Sequence, residues 1–142
     1  MILIADSGST KTDWVLIDSK GVVQSIQSIG LNPDFHSKDS IQSEIRSIAD
    51  QLEQIPTEIH FYGSGASSAA RQAPLQSAFE SSFPKAKLSV SHDLLGAARA
   101  TLGDSAGLVG ILGTGSNCCT YDGNSIIREY RSGGYILSDE GG

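Results

Sequence analysis

The residues near the start of the chain, Ile4-Ala5-Asp6-Ser7-Gly8-Ser9-Thr10-Lys11-Thr12-Asp13, concentrate groups suited to holding phosphate. Small residues let backbone N–H groups approach anionic oxygens, hydroxyls add donors, and Lys11 can add positive charge. Asp6 closes a short apolar run. A carboxylate there can serve Mg2+ directly or through water, because magnesium takes few protein oxygens and keeps much of its hydration. The segment is not a Walker A loop, since Gly-x-x-x-x-Gly-Lys-Ser/Thr is absent. Taken alone, a Gly/Ser/Thr hairpin is equally an ordinary turn. A second loop shifts the balance. Ile111-Leu112-Gly113-Thr114-Gly115-Ser116-Asn117 again sets glycines and hydroxyls straight after an apolar strand, as a second set of donors to the same phosphates would require.

Two further positions carry chemistry with an alternative attached. Asp93, in Ser91-His92-Asp93, stands between a predicted strand and a predicted helix, where an aspartate can cap the helix or act as a base. Asn32 precedes Pro33 and reads as a turn residue from its neighbours alone. His36, His60 and His92 lack the spacing of metal ligands on one element.

The elements that must position these groups follow from periodicity. Apolar runs at residues 2–5, 14–17 and 22–26 predict three antiparallel strands, with Asp18-Ser19-Lys20-Gly21 as a hairpin turn. Ile41, Ile45, Ile48, Ala49, Leu52 and Ile55 recur at helical spacing and predict a helix over 39–54. Residues 58–62 then read as a strand, 67–82 as a helix interrupted or started late by Pro74, 87–91 as a strand and 94–102 as a helix. Trp14 and the stripe Leu75, Phe79, Phe83 read as core.

The order β-β-β-α-β-α-β-α makes the later strands parallel additions to an antiparallel opening. This is an α/β, ribonuclease-H-like layout with a mixed sheet. Strands at 107–112 and near 117–121 and 125–129 then repeat the opening device. The expected organisation is a first domain over 1–106, followed by the start of a second, similar domain over 107–142.

Composition narrows the function classes. Hydrophobic residues are 39% and charged residues 18% of the chain, a globular balance. Ten Lys and Arg against sixteen Asp and Glu give a formal charge of −6, and the basic residues form no stripe, which argues against a nucleic-acid partner. No run approaches the roughly 20 apolar residues of a membrane helix, and the N-terminus lacks the layout of a signal peptide. The adjacent Cys118 and Cys119 form neither a disulfide framework nor a metal pattern, read best as small buried residues, and fit a reduced, cytoplasmic setting.

The two loops, with Ser91-His92-Asp93 and Gly133-Gly134-Tyr135-Ile136-Leu137-Ser138-Asp139-Glu140-Gly141-Gly142, resemble the N-acetylglucosamine kinase and BadF/BadG/BcrA/BcrD ATPase group of the actin, sugar kinase and Hsp70 superfamily. The resemblance spans essentially the whole chain and implies an actin-like ATPase fold, ATP and Mg2+ as cofactors, and an amino sugar as substrate. It implies that Ser7, Gly8, Ser9, Thr10, Lys11 and Thr12 wrap the β- and γ-phosphates, that Asp6 serves the metal, and that Gly113, Thr114, Gly115 and Ser116 grip phosphate from the second domain. Asp93 matches the general base on the sugar 6-hydroxyl. Asn32, Asn117 and Asp139 match positions that hydrogen-bond the sugar. Ser138 and Gly142 depart from the family pattern around Asp139.

The same resemblance implies that the adenosine-binding segment lies beyond residue 142, so that the chain alone is expected to be inactive. An ATPase activator of a dehydratase or reductase, of BadF type, and a non-catalytic sugar-sensing domain are the alternative functions. A homodimer stays open.

Overall fold

The computed structural model describes residues 1–113 and 116–131, so Thr114, Gly115 and the site residue Asp139 lie outside the described residues. The chain divides into two compact units, the first Met1–Asp93 and the second starting at Leu94.

In the first unit, β1 (Ile2–Ser7), β2 (Lys11–Asp18) and β3 (Gly21–Ile29) form the expected antiparallel meander. β4 (Glu58–Gly63) and β5 (Lys87–His92) join it in parallel, giving the sheet order β3-β2-β1-β4-β5. The turn at 18–21 forms because Asp18 Oδ1 accepts from the N–H groups of Lys20 and Gly21, at 2.6 and 3.1 Å, while Gly21 takes a φ of +128° that other residues resist.

Strand alternation sends Leu3, Ala5, Trp14, Leu16, Ile59 and Phe61 to one face, each 1% exposed or less. Two helices cover that face. α1 (Lys38–Gln51) starts at Ser37, whose side chain accepts from the N–H of Ser40, and buries Ile41, Ile45 and Ile48. α2 (Ala69–Ser82) buries Leu75, Ala78 and Phe79. Trp14, Phe61 and Phe79 meet with ring centroids 5.4–6.1 Å apart in tilted geometry, which anchors the sheet to α2. Phe83 extends the cluster at 6% exposure.

Two expectations need correction. The first helix stops at Gln51, and Ile55, read as part of its apolar face, is 82% exposed. Pro56 disfavours helical backbone at the residue before it, and the chain leaves for β4, with the Thr57 N–H donating to the Met1 carbonyl. The second correction concerns Pro74, which neither interrupts nor delays α2: the helix runs through it from Ala69. So close to the N-terminus, the proline forfeits a single bond near groups that are unsatisfied in any helix.

In the second unit, β6 (Gly107–Leu112), β7 (Ser116–Tyr121) and β8 (Ile126–Arg131) form another antiparallel meander. Its second turn repeats the device of the first unit, with Asp122 Oδ1 accepting from Asn124 and Ser125. α3 (Asp93–Leu102) packs on this sheet, where Leu94 and Ala98 bury with Val109, Cys119 and Tyr121. The compact units part at Asp93, and the apolar side of α3 finds its cover in the second unit. Of the two cysteines, Cys119 is buried and Cys118 half-buried.

Candidate active site

The parallel register puts the C-terminal ends of β1, β4 and β5 in line: Ser7 pairs with Gly63, and Gly63 with His92. Across the other side of β1, Ser7 pairs with Thr12 and Lys11 with Ile29. The segments that follow these strand ends, 8–10, 30–32, 64–68 and Asp93, therefore emerge at one edge of the first unit's sheet. Such carboxyl ends are where open α/β sheets bind ligands.

The first loop is a tight hairpin closed by the Gly8 N–H donating to the Lys11 carbonyl at 2.9 Å. Gly8, Ser9 and Thr10 are exposed, and the N–H groups of Ser9 and Thr10 make no hydrogen bond to a described residue. These are donors of the kind an anion takes up. Lys11 is ion-paired with Asp13, Nζ to Oδ2 at 2.7 Å, with both side chains largely in solvent.

Ser7 and Thr12 behave differently from the rest of the loop. Both are fully buried. Thr12 Oγ1 donates to the Ile29 carbonyl at 2.8 Å, so its contact with Ser7 Oγ, also 2.8 Å, is donated by Ser7. Ser7 Oγ in turn accepts from the Leu31 N–H at 2.9 Å. These hydroxyls are spent inside the protein, and it is the segment between them, Gly8 to Lys11, that faces outward.

Three carboxylates gather beside this loop. Asp6 and Asp13 are register partners and so share a face of the sheet. Although the Asp6 side chain reaches solvent, its carboxyl is pushed above the ordinary range, first by desolvation and then by the negative charges of Asp93 and Asp13, with Lys11 pulling it back. The Asp13 carboxyl is pushed down, first by the hydrogen bond from Gln27 Nε2 at 2.6 Å and then by Lys11. Asp93 opens α3, and its Oδ1 lies 3.1 Å from His92 Nε2, with both side chains mostly covered.

Among the described residues, no three His, Cys, Asp or Glu side chains form a metal cage. The donor set still suits magnesium, which needs one or two carboxylates and completes its shell with water and phosphate oxygens. The excess negative charge sensed by Asp6 is the electrostatic counterpart of such a site.

Asn32 is 5% exposed and does form a turn: its Oδ1 accepts from the Asp34 N–H at 2.9 Å, and its carbonyl accepts from Phe35 and His36. Its Nδ2 makes no hydrogen bond to a described residue. Arg71, from α2, pairs with Asp34 at 3.2 Å and steadies the turn. In the second unit, exposed Gly113 follows the exposed end of β6 at Leu112, and Ser116 opens β7. Asn117 Nδ2 donates to Glu129 Oε1 at 2.9 Å, while its buried Oδ1 has no partner among the described residues.

Two glycines that the sequence reading passed over shape this edge. A Cβ on Gly30 would collide with the Gly8 carbonyl oxygen and lie 2.5 Å from the Ser9 carbonyl carbon, so only glycine lets the phosphate-type loop rest there. Gly65, at φ +80°, lies against the Asn32 amide, whose Cγ would be 2.8 Å from a Cβ. The only sequence signal for Gly30 is its place beside Asn32-Pro33.

No protein-family model and no curated protein matches the chain. Solved structures do. A proposed N-acetylglucosamine kinase from Porphyromonas gingivalis is 39% identical and superposes with a TM-score of 0.87, over 98% of this chain and 50% of that one. A proposed N-acetylglucosamine kinase from Chromobacterium violaceum is 24% identical with a TM-score of 0.64, over 94% of this chain and 49% of its own. A ROK hexokinase from Thermus thermophilus is 18% identical with a TM-score of 0.65, over 94% and 50%. At these lower identities the last two show the fold alone. The chain spans about half the length of the structures it matches. It thus carries the actin-like ATPase fold, and nearly its whole length resembles half of a chain of the N-acetylglucosamine kinase type.

Proposed function

We propose that this chain supplies the phosphate-loop portion of a kinase that transfers the γ-phosphoryl group of ATP to the 6-hydroxyl of an amino sugar of the N-acetylglucosamine or glucosamine type. The observation that carries the reading is the meeting, at one sheet edge, of a loop with unspent N–H groups and the electrostatically coupled carboxylates Asp6 and Asp93. The 39% identity to a proposed N-acetylglucosamine kinase supports the choice of substrate class. Because only half of that structure's length is matched, the activity is proposed for the whole protein.

Phosphoryl transfer asks mostly for alignment and charge stabilisation. In this reading the unspent N–H groups of Ser9 and Thr10 hold the phosphates, with Gly8 leaving room for them and Lys11 adding positive charge, and Gly113, Thr114, Gly115 and Ser116 are proposed as further phosphate donors. Asp6 would hold Mg2+, which would supply positive charge against the transferring group. Asp93 accepts the proton of the attacking hydroxyl, and His92 beside it orients the carboxylate. Asn32 offers its Nδ2 to the sugar, and Asn117 and Asp139 complete the sugar contacts. A cytoplasmic setting fits the free cysteines. No helix among the described residues is long and apolar enough to cross a membrane.

The test is calorimetric titration of N-acetylglucosamine and of Mg-ATP into the whole protein, with a coupled phosphorylation assay on wild type and Asp93→Asn. Sugar binding, with turnover that falls about 10²–10⁴-fold in the variant while sugar affinity holds, is the expected result. Steady ATP hydrolysis without sugar binding would move the assignment to the ATPase-activator class, and sugar binding without turnover to a sensing domain.

A further inference from the structure

The buried hydroxyls of Ser7 and Thr12 connect two segments far apart in sequence. Each hydroxyl has one proton, and the geometry fixes where each goes. The Leu31 N–H donates to Ser7 Oγ, Ser7 donates to Thr12 Oγ1, and Thr12 donates to the Ile29 carbonyl. The relay is closed at both ends by backbone, so it has one polarity and no spare proton. Ile29 is held a second time, since its carbonyl also accepts from Ser28 Oγ at 3.2 Å, and Ser28 accepts from the indole N–H of the core residue Trp14 at 2.9 Å.

Around this relay the two segments touch directly. The Gly30 N–H donates to the Thr10 carbonyl at 3.0 Å, and Gly30 lies flat against Gly8 and Ser9. Ser7 reaches a third segment as well, its carbonyl accepting from the Ser64 N–H at 2.8 Å, one residue before the Gly65 that presses on Asn32. The loop 8–11 and the turn that carries Asn32 therefore share their backbone anchors, and neither can shift without straining the relay between them.

We infer that Ser7 and Thr12 are positioning residues which couple the loop 8–11 to the Gly30–Asn32 segment, so that occupancy of one alters the affinity of the other. This rests on the reading of the two segments as nucleotide and sugar sites. By thermodynamic linkage the effect must be reciprocal, and couplings of this kind amount to about 5–150-fold in affinity. Neither hydroxyl touches ligand in this account. Both act through the backbone they hold.

The experiment measures, on the whole protein, the affinity for N-acetylglucosamine with and without a non-hydrolysable Mg-ATP analogue, alongside amide hydrogen exchange at Gly30 and Leu31. Wild type, Ser7→Ala, Thr12→Val and Thr12→Ser are compared. The wild type should show a coupling factor of at least about fivefold, together with slower exchange at Gly30 and Leu31 when the nucleotide analogue binds. Ser7→Ala and Thr12→Val should still bind each ligand alone but bring the factor close to one, whereas Thr12→Ser, which keeps the hydroxyl, should retain it. A factor unchanged in Thr12→Val would overturn the inference. So would a loss shared equally by Thr12→Ser, since that would mark a packing effect instead of the relay.

If the wild type binds neither ligand, the kinase reading falls. The fastening is then decided by exchange alone: Leu31 must exchange faster in Ser7→Ala than in wild type, and equal rates would refute it. Should Ser7→Ala fail to fold, the Thr12→Val and Thr12→Ser pair carries the decision.

Discussion

Replacing Gly30 by alanine tests the geometry of the phosphate-type loop with a single methyl group. Gly30 is buried and does not have a positive φ, so alanine meets no backbone strain of its own there. In the absence of steric conflict, the loss of unfolded-state freedom would stabilise the protein by about 0.4–1 kcal/mol. The structure predicts the opposite sign, because the new Cβ would stand 2.5 Å from the Ser9 carbonyl carbon and 2.6 Å from its oxygen, both backbone atoms that cannot rotate away. Ordinary contact begins at 3.4 Å, and the Gly8 carbonyl oxygen stands closer still, so the loop must retreat by about 1 Å. Overpacking of this kind costs about 1–3 kcal/mol. A displacement near 1 Å of groups that align a reacting phosphate costs about 10²-fold in rate. The assays are thermal unfolding and steady-state kinetics of the whole protein against ATP and sugar. The expected outcome is a melting temperature lower by several degrees and a kcat/KM for ATP lower by about two orders of magnitude. A variant more stable than wild type with unchanged ATP kinetics would refute the packing of Gly30 under the loop.

Other perturbations have equally definite outcomes. Asp6 has a raised pKa in the folded protein, so the folded state holds its proton more tightly than the unfolded chain, and stability from this group is present at low pH and lost as pH rises through the folded value. Asp6→Asn should therefore raise the melting temperature of the metal-free protein at neutral pH, with the gain fading as pH falls through the raised folded value and gone once pH is below the ordinary value of 3.8. Added Mg2+ with nucleotide should stabilise the wild type more than this variant, and equal stabilisation would remove Asp6 from the metal site. Gly65→Ala combines an unfavourable φ of +80° with a collision on the Asn32 amide. It should weaken sugar binding at least tenfold, read by calorimetry, while a stability loss with unchanged sugar affinity would separate Asn32 from the sugar site.

Much of the site could be read in order from the chain. Short apolar runs marked the strands, and helical spacing marked α1 most clearly, since burial of one face leaves that imprint where a helix has a single apolar side. Strand alternation also encodes the burial of the hydroxyls: Leu3, Ala5 and Ser7 share a parity, as do Thr12, Trp14 and Leu16, so the two hydroxyls turn inward with the core. Asp6, of opposite parity, had to turn out. Pro56 and Pro74 show the limits of local rules. The first helix had already stopped at Gln51, ahead of Pro56 and the residue whose helical backbone it disfavours, while α2 runs through Pro74, whose missing N–H costs little so near the start of a helix.

The sequence by itself determined the kinds of groups available: a small-residue loop able to present N–H donors, an aspartate at a strand end, and a second aspartate at a helix start. Those follow from covalent structure and from short-range periodicity. Only the tertiary structure decided which of them meet. The parallel register of β1, β4 and β5 brought Asp6 and Asp93 close enough for one charge to perturb the other. The buried relay chose Ser7 and Thr12 as anchors, and the approach of Gly30 and Gly65 fixed the loop and Asn32 in place. These relations depend on separations through space between residues distant in the chain, and no local pattern encodes a distance of that kind.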